Sequence, residues 1–164
     1  MTIEEVKIEV LKLAEIISAP ENKFPDFGSS NYQGNPHIDV DNYGNLYFIV
    51  VERNEEYERK ITKNIKELLF WIFEGITFSM ARDYELENRI KNQDFRILLF
   101  AKQDELLEKL DSDWAEITRK KHKKLLNPTE ETKRNRKEYC DKLEKEGIDL
   151  VTAWNIACEK YPTE

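Results

Sequence analysis

The sequence is poor in cysteine and in long apolar runs, and both shortages exclude classes of protein. Its two cysteines, Cys140 and Cys158, are too few for a disulfide framework, and neither lies in a CxxC or Cys/His spacing typical of zinc sites. No apolar run reaches the length of a membrane span, and the first residues lack the basic region of a secretory signal. We therefore expect a cytoplasmic protein with no membrane partner, no metal and no cofactor.

Acidic residues outnumber basic residues, 33 to 26, which gives the 164-residue chain a net charge of −7. A protein whose main task is to hold nucleic acid needs a positive surface to bind phosphate, so this balance argues against nucleic acid as the partner. An acidic surface suits instead a partner with a basic surface. The length and an apolar content of 40% are enough for one domain with a packed core.

Hydrophobic periodicity predicts an α+β fold. A T-x-x-E capping box at Thr2 begins a helix that ends before Pro20, and a loop follows at 21–36. Alternating segments at 37–41 and 57–62, and an apolar β-branched run at 46–52, are separated by tight turns and predict a three-stranded antiparallel meander. A run of four to five helices completes the chain and packs on one face of the sheet. These helices are expected at 64–89, 94–110, 129–146 and 149–161, with a further one between Ser112 and Pro128.

The predicted elements suggest how the chain is divided. We expect residues 1–126 to form a single α+β domain, and residues 127–164 to form a helical C-terminal extension packed on the same domain. The meander and the helices at 64–110 should share one core, because both contain strongly apolar runs. Four side chains from those runs are predicted to be fully buried, namely Phe48, Val50, Ile72 and Ile76.

An acidic residue, Asp83, falls in the middle of the apolar face of the long central helix. An isolated carboxylate in a core is strongly destabilising unless donors surround it, so we expect Asp83 to be buried and paired with an arginine, for which Arg89 and Arg96 are the best candidates. Together with Glu85 and Asp94, these residues are predicted to form a structural polar network that ties the helices together.

The same cluster allows a second interpretation, in which a small enzyme uses Asp83, Glu85 and Arg89. Two carboxylates beside an arginine can perform general acid–base chemistry. The signal is weak, because Asp83 and Glu85 are two residues apart on a helix and their side chains diverge. The chain also has no glycine-rich phosphate loop and no histidine near this cluster. We therefore predict no catalytic residues.

Two other segments carry residues of functional types. His37, Asp39 and Asp41 alternate along one predicted strand, but one imidazole and two carboxylates leave a metal site incomplete, so a solvated strand face is favoured. Residues 118–137 hold nine Lys or Arg against two Glu, which allows a regulatory or nucleic-acid-associated binding protein as an alternative. We favour cations that complement a helix C-terminus, with His122 exposed, because no aromatic residues interleave with them.

Five segments of the chain together resemble a bacterial immunity-protein family. They are, in order, "PHIDVD", "YFIVVERNEEYERKIT", "ELLFWIFEGITFSMARDYEL", "QDFRILLFAKQDELL" and "DWAEITRKKH". The family is immunity protein 63 of polymorphic toxin systems, and the likeness covers roughly residues 1–126. Arg82 stands where members of the family favour cysteine. The positions that match the family pattern are Glu52, Arg53, Trp71, Asp83, Tyr84, Glu85, Arg89, Asp94 and Arg96.

The resemblance implies a non-enzymatic protein that binds a cognate toxin, delivered by secretion or by contact-dependent inhibition, and neutralises it inside the producing cell or its kin. An acidic inhibitor suits a basic toxin, because complementary charge raises the association rate and the specificity. We therefore expect the toxin-binding surface to be acidic. Its best candidates beside the loop 21–36 are Asp39, Asp41, Glu55, Glu56 and Glu58.

Overall fold

The computed structural model describes residues 1–162, and this part of the chain contains six α-helices and one four-stranded sheet. The helices are α1 Ile3–Ile16, α2 Ile65–Glu87, α3 Phe95–Leu110, α4 Ser112–Leu126, α5 Glu130–Lys145 and α6 Leu150–Lys160. The strands are β1 Asp26–Phe27, β2 Gln33–Val40, β3 Leu46–Glu52 and β4 Glu55–Thr62. The predicted α+β class, with one helix before the sheet and a run of helices after it, is confirmed.

The chain divides into two compact units, which are described separately. The first unit is Met1–Ala115 and contains α1, the sheet, α2 and α3, and the second begins at Glu116 and contains α5 and α6. Helix α4 begins in the first unit and continues into the second. The packing of residues 127–164 on a domain formed by 1–126 stays a prediction, and residues 163 and 164 lie outside the described part of the chain.

The sheet has the strand order β1-β2-β3-β4, and its antiparallel part is the predicted meander. Strand β1 is an addition, and it runs parallel to β2 with Asp26 opposite His37. The segment 21–36, predicted as a loop, therefore also contains a 3-10 turn at Glu21–Lys23, β1 and the start of β2. A strand of two residues is too short to show alternation, so the sequence pattern gave no signal for it.

The β3–β4 hairpin closes with a two-residue turn formed by Arg53 and Asn54. Both residues have positive φ, 51° and 65°. This is the left-handed backbone of a type I′ turn, whose twist matches the right-handed twist of the flanking strands. The register shifts by one residue between Val50 and Val51, shortly before the turn, so this end of the sheet is locally irregular.

One face of the sheet carries the core of the first unit. Ile38 and Phe48 are buried on this face, against α1 and α2. Ile72 and Ile76 of α2 are buried in the same cluster, so the predictions for Phe48, Ile72 and Ile76 are confirmed. The prediction for Val50 is wrong, because this side chain is only partly buried. It packs against the margin of the core cluster, at the register shift shortly before the hairpin turn.

Helix α2 is the central element of the first unit. It is buried on most sides along its first half, and it ends at Glu87, close to the predicted end at Arg89. Four of the six side chains after Ala81 are charged, and of these Arg82 and Glu87 are exposed whereas Glu85 is buried. Of the helices described, none combines the length and the apolar character that crossing a membrane would require.

In the second unit, α5 and α6 pack against each other through a small apolar cluster. Its buried members are Cys140, Leu143, Ala153 and Ala157. Arg136 is also buried, and its Nε donates a hydrogen bond to the carbonyl oxygen of Tyr161 at 2.8 Å. The last carbonyls of a helix have no partner within the helix, so this arginine satisfies an acceptor just beyond the end of α6.

Candidate functional site

The first unit contains a cleft of about 480 Å³ between α2 and the segment that leads into β2. Its floor is apolar and includes Phe48, Ile72 and Ile76. Its rim is polar and includes charged side chains from α2 and from the 3-10 turn at Glu21–Lys23. An apolar floor with a few convergent polar groups is the usual anatomy of a binding pocket.

One side of α2 forms the helical wall of this cleft. Its residues at 72, 75, 76, 79, 82 and 83 line the space. They are three or four residues apart, the spacing at which helical side chains lie on the same face. Gly75 and Ser79 are small, so the wall is recessed in its middle. Arg82 and Asp83 then bring charge to the rim at the end of the recess.

The 3-10 turn forms the opposite wall and is tied to α2 by Lys23. The Lys23 ammonium donates to Ser79 Oγ at 2.9 Å and forms an ion pair with Asp83. Arg82 adds a second cation, with its Nη2 3.7 Å from Asp83 Oδ1. The hydrogen bond from Lys23 is the main reason that the pKa of Asp83 lies below its usual value. Asp83 is therefore ionised and its charge is shared by two cations.

The prediction that Asp83 is buried is wrong, and the arginine beside it is neither Arg89 nor Arg96. Its side chain is 46% exposed, and its cations are Lys23 and Arg82. The physical reason lies in the fold: the 3-10 turn crosses the face of α2 on which Asp83 lies. That contact joins residues 60 positions apart, and helical periodicity gives no sign of it.

The buried carboxylate of α2 is Glu85, with 2% of its side chain exposed. Arg89, one turn later, donates from Nε to Glu85 Oε1 at 2.8 Å and from Nη2 to Oε2 at 3.0 Å. This bidentate pair is the main reason that the pKa of Glu85 is lowered. Of the other predicted network members, Asp94 caps α3 and pairs with Arg96 at 2.7 Å. Whether these pairs act together as one network stays a prediction.

Asp41, one of the five acidic residues predicted to bind a partner, holds the β2–β3 turn together. Its carboxylate accepts from the Asn45 side chain at 2.7 Å, from the Tyr47 hydroxyl at 2.8 Å, and from the backbone N–H groups of Tyr43 and Asn45 at 2.9 Å. These donors, the Asn45 side chain foremost, lower the pKa of Asp41 to about 2. Its oxygens are therefore engaged within the turn.

Of the other four predicted acidic residues, Glu55 begins β4 beside the turn, and the remaining three lie on two faces of the sheet. Asp39 is opposite Tyr47 and Glu56 is opposite Val51, which places both on the face away from the helices. Glu58 is opposite Val50 and belongs to the helix-packed face. Two of these carboxylates are paired within the chain. Glu56 binds Arg59 in a bidentate contact at 2.8 and 2.9 Å, and Glu58 pairs with Lys60 at 2.8 Å.

At the turn end of the β3–β4 hairpin, two exposed tyrosines that the sequence analysis did not single out lie beside the predicted Glu55 and Glu56. Tyr32 and Tyr57 are 58% and 64% exposed there. The Arg53 N–H donates to the Tyr32 carbonyl at 3.3 Å, which brings the residues before β2 against the turn. We call the exposed group at this end the hairpin-end surface, and it consists of Tyr32, Arg53, Glu55, Glu56 and Tyr57. Exposed aromatics next to turn signals were the available clue.

The basic segment 118–137 contributes buried as well as exposed side chains. His122 is buried, so the prediction that it is exposed is wrong. Within the second unit, Lys120 pairs with Glu116 at 2.9 Å and Lys133 pairs with Glu130 at 2.7 Å. With Arg136 also buried, the nine cations of this segment are not one continuous exposed patch. Among the described residues, no three His, Cys, Asp or Glu side chains are grouped closely enough to hold a metal ion.

Comparison with known proteins gives one match. A family model described as immunity protein 63 matches residues 41–124, just over half of the chain. The match begins at the β2–β3 turn and ends within α4, so it includes the hairpin turn and the α2 wall of the cleft. It does not include Lys23 or the rest of the opposite wall. No curated protein and no solved structure matches the chain.

Proposed function

This chain belongs to the immunity protein 63 family, and we propose that it binds one cognate bacterial toxin domain in the cytoplasm and neutralises it without catalysis. The observation that carries the proposal is the family match over residues 41–124. The toxin would belong to a polymorphic toxin or contact-dependent inhibition system, and it would be encoded beside the immunity protein. Protection then depends on affinity for one partner.

The distribution of charge supports a partner with a basic surface. Residues 1–115 contain 23 acidic and 14 basic residues, a net charge of −9, whereas residues 116–164 carry a net charge of +2. The first unit is therefore far more acidic than the chain as a whole. Complementary charge steers the encounter between two proteins and raises the association rate. A basic toxin domain would be attracted to the first unit.

We assign the first contact to the hairpin-end surface. Tyrosine is enriched at the energetic centres of protein interfaces, because its ring buries a large area and its hydroxyl finds a partner. Tyr32 and Tyr57 offer two such anchors, and Glu55 places negative charge beside them, whereas Glu56 is already paired with Arg59. Glu55, Glu56 and Tyr57 lie on the paired strand β4, and the Arg53 N–H holds the Tyr32 carbonyl beside the turn, which limits the entropy lost on binding.

The other predicted acidic residues have different parts in this proposal. Asp39 lies on the open face of the sheet, where it extends the negative field beside Glu56. Glu58 is held by Lys60, so it contributes charge more than a new contact. Asp41 is given the structural task of fixing the β2–β3 turn, since its oxygens already have donors.

The arrangement of Asp83, Glu85 and Arg89 gives no support to the enzyme alternative. Glu85 is buried, and both of its carboxylate oxygens accept hydrogen bonds from Arg89. Asp83 lines the cleft, but neither Glu85 nor Arg89 is among the residues that line it. A general acid–base pair needs two groups that face the same substrate, so we assign the Glu85–Arg89 pair to stability.

Co-expression with the toxin domain encoded by the neighbouring reading frame tests the proposal. Cells that carry both genes should grow, cells with the toxin domain alone should stop growing, and the two proteins should elute as one complex. A toxin domain from an unrelated system serves as the control for specificity. The proposal is lost if the intact protein neither rescues growth nor binds the neighbouring toxin domain.

A further inference from the structure

Gly75 is a glycine in the middle of a long helix, and the fold of this chain gives no reason for it. Glycine in a helix interior is less stable than alanine, because it has more backbone freedom to lose. A Cβ added at Gly75 would meet nothing within 4 Å, and its φ lies outside the left-handed range. Neither packing nor backbone geometry within the chain therefore requires a glycine here. What the glycine leaves is open space in the wall of the cleft.

The charges around that space are not equally engaged. The Lys23 side chain is 12% exposed, and its ammonium already bonds Ser79 and Asp83. Arg82 is 57% exposed, and its closest approach to Asp83 is 3.7 Å, which is longer than a good hydrogen bond. A guanidinium carries five N–H donors in a planar fork. The Arg82 guanidinium can therefore donate hydrogen bonds to a further acceptor at the mouth of the cleft.

We propose that the cleft is the socket for one side chain of the partner, a glutamate or aspartate whose stem passes over Gly75 and whose carboxylate binds Arg82. This proposal rests on the function proposed above, since the partner is the toxin domain. The apolar floor formed by Phe48, Ile72 and Ile76 would cover the aliphatic stem. The recess at Gly75 lets the stem approach the helix backbone.

Charge selects a carboxylate over a lysine or arginine in this socket. The charged residues that line the cleft are Lys23, Arg82 and Asp83, two cations and one anion. The cleft is thus locally positive within a unit whose net charge is −9. Arginine binds a carboxylate through two parallel N–H···O bonds, and this geometry also fixes direction. A basic toxin that presents one acidic side chain here would be oriented on the first unit, because this side chain fits the positive cleft and not the acidic surface around it.

The test compares variants of the intact protein for binding to the toxin domain encoded beside it. Gly75→Ala and Gly75→Leu fill the recess by one and by four carbon atoms. Both replace glycine with a better helix former, so we expect Tm to rise by about 2–4 °C for the alanine variant. The dissociation constant should rise at least about tenfold for the leucine variant, the effect expected for blocking a central contact. Ala101→Leu, at an exposed position of α3, is the matched control and should bind as the wild type does.

The chemistry of the occupant is tested at Arg82. Arg82→Gln should weaken binding at least about tenfold, and Arg82→Lys should recover part of it, since lysine keeps the charge but loses the bidentate fork. Lys91→Gln makes the same change of charge at an exposed position outside the cleft and should have little effect. Thermal melts of each variant show whether the fold is intact.

The outcomes separate this inference from the proposed function. Loss of binding in Gly75→Leu and Arg82→Gln, with normal melts and unaffected controls, supports the socket and its carboxylate occupant. Wild-type affinity in Gly75→Leu overturns the socket while the proposed function stands. If Gly75→Leu binds weakly while Arg82→Gln binds as the wild type does, the cleft is the binding site but its occupant is not a carboxylate held by Arg82. If the wild-type protein does not bind the toxin domain, the function and this inference fall together.

Discussion

Lys23 and Asp83 are 60 residues apart in the chain, and their ion pair joins the two walls of the cleft. Lys23 comes from the short turn before β1, and Asp83 from the second half of α2. The same ammonium also reaches Ser79, one helical turn before Asp83. One lysine therefore joins the two walls of the cleft through two side chains of α2.

We predict that Lys23 and Asp83 are energetically coupled. Lys23→Met should lower Tm because it leaves Asp83 and Ser79 without their common donor, and Asp83→Asn should lower Tm because it removes the charge partner of a mostly buried ammonium. The double variant should melt no lower than the worse single variant. A double-mutant cycle by thermal denaturation measures this coupling.

A surface ion pair provides the control for that cycle. Lys12 and Glu9 form an exposed pair at 2.6 Å on α1, and exposed pairs of this kind contribute little to stability. Lys12→Met and Glu9→Gln should therefore show no measurable coupling. Additive effects of the Lys23 and Asp83 variants would contradict the prediction, and would mean that the turn is held by its other contacts.

A second prediction concerns the core beneath the cleft. Ile72→Ala should lower the free energy of unfolding by about 2–5 kcal/mol, because the residue is buried among helix and sheet side chains and its truncation leaves a cavity. Ile61→Ala, on an exposed position of β4, should change it by less than about 1 kcal/mol. Urea denaturation of the two variants gives the comparison. Equal losses would mean that α2 and the sheet do not share one core.

Much of this architecture can be predicted from the sequence, because it depends on local patterns. The period of 3.6 in α2, the alternation in β2 and β4 and the apolar run of β3 are visible in the chain, and they predict the burial of Phe48, Ile72 and Ile76. Strand β1 was not predictable, since two residues have no period. The prediction that Val50 is fully buried failed for a similar reason, because the extra residue that shifts the register is in β4, between Glu56 and Glu58, and the apolar run of β3 gives no sign of it.

The candidate site was less predictable than the fold, and α2 shows why. Helical angles place Asp83 on the apolar face, yet Glu85 is the buried carboxylate. Which part of a helix face is covered depends on elements that arrive from far along the chain. Beyond Ile76 the sheet-facing side of α2 opens into the cleft. The partner of Asp83 then comes from a turn that a sequence pattern describes only as a loop.

A third prediction concerns acid stability at Asp41. Its pKa is lowered from 3.8 to about 2 by donors that need the ionised carboxylate. Its contribution to stability is therefore fully present above the unfolded-state pKa and is lost as the pH falls through the folded-state pKa. Asp41→Ala should lower Tm at neutral pH, and the difference from wild type should shrink between pH values of about 4 and about 2.

The control for this prediction removes a donor and leaves the carboxylate in place. The Asn45 side chain contributes most to the lowered pKa, so Asn45→Ala should move the acid-dependent loss of stability toward higher pH. Melting curves of the three proteins across the acid range give the measurement. A difference between wild type and Asp41→Ala that stays constant down to pH about 2 would show that the turn does not need the charge.

The last prediction concerns the rate at which the toxin domain associates. Glu55 lies on the hairpin-end surface beside the Arg53–Asn54 turn, so its reversal should act on the encounter more than on the fold. Glu55→Lys should slow association roughly threefold to tenfold at low ionic strength, because it weakens the negative field that attracts a basic partner. The difference should narrow as salt is added, since screening shortens the range of the field. Stopped-flow or surface-based kinetics measure both effects.

Glu15→Lys separates local charge from net charge. Glu15 is exposed on α1, and its reversal changes the net charge of the protein by the same amount as that of Glu55. If the hairpin-end surface meets the toxin, the Glu55 variant should associate more slowly than the Glu15 variant at every low salt concentration. If the two variants associate equally slowly, the association rate depends only on the net charge of the protein, and the hairpin-end surface is not the contact. If both variants associate at the wild-type rate, negative charge does not steer the encounter with the toxin domain. The proposed function would remain, because rescue in co-expression depends on affinity.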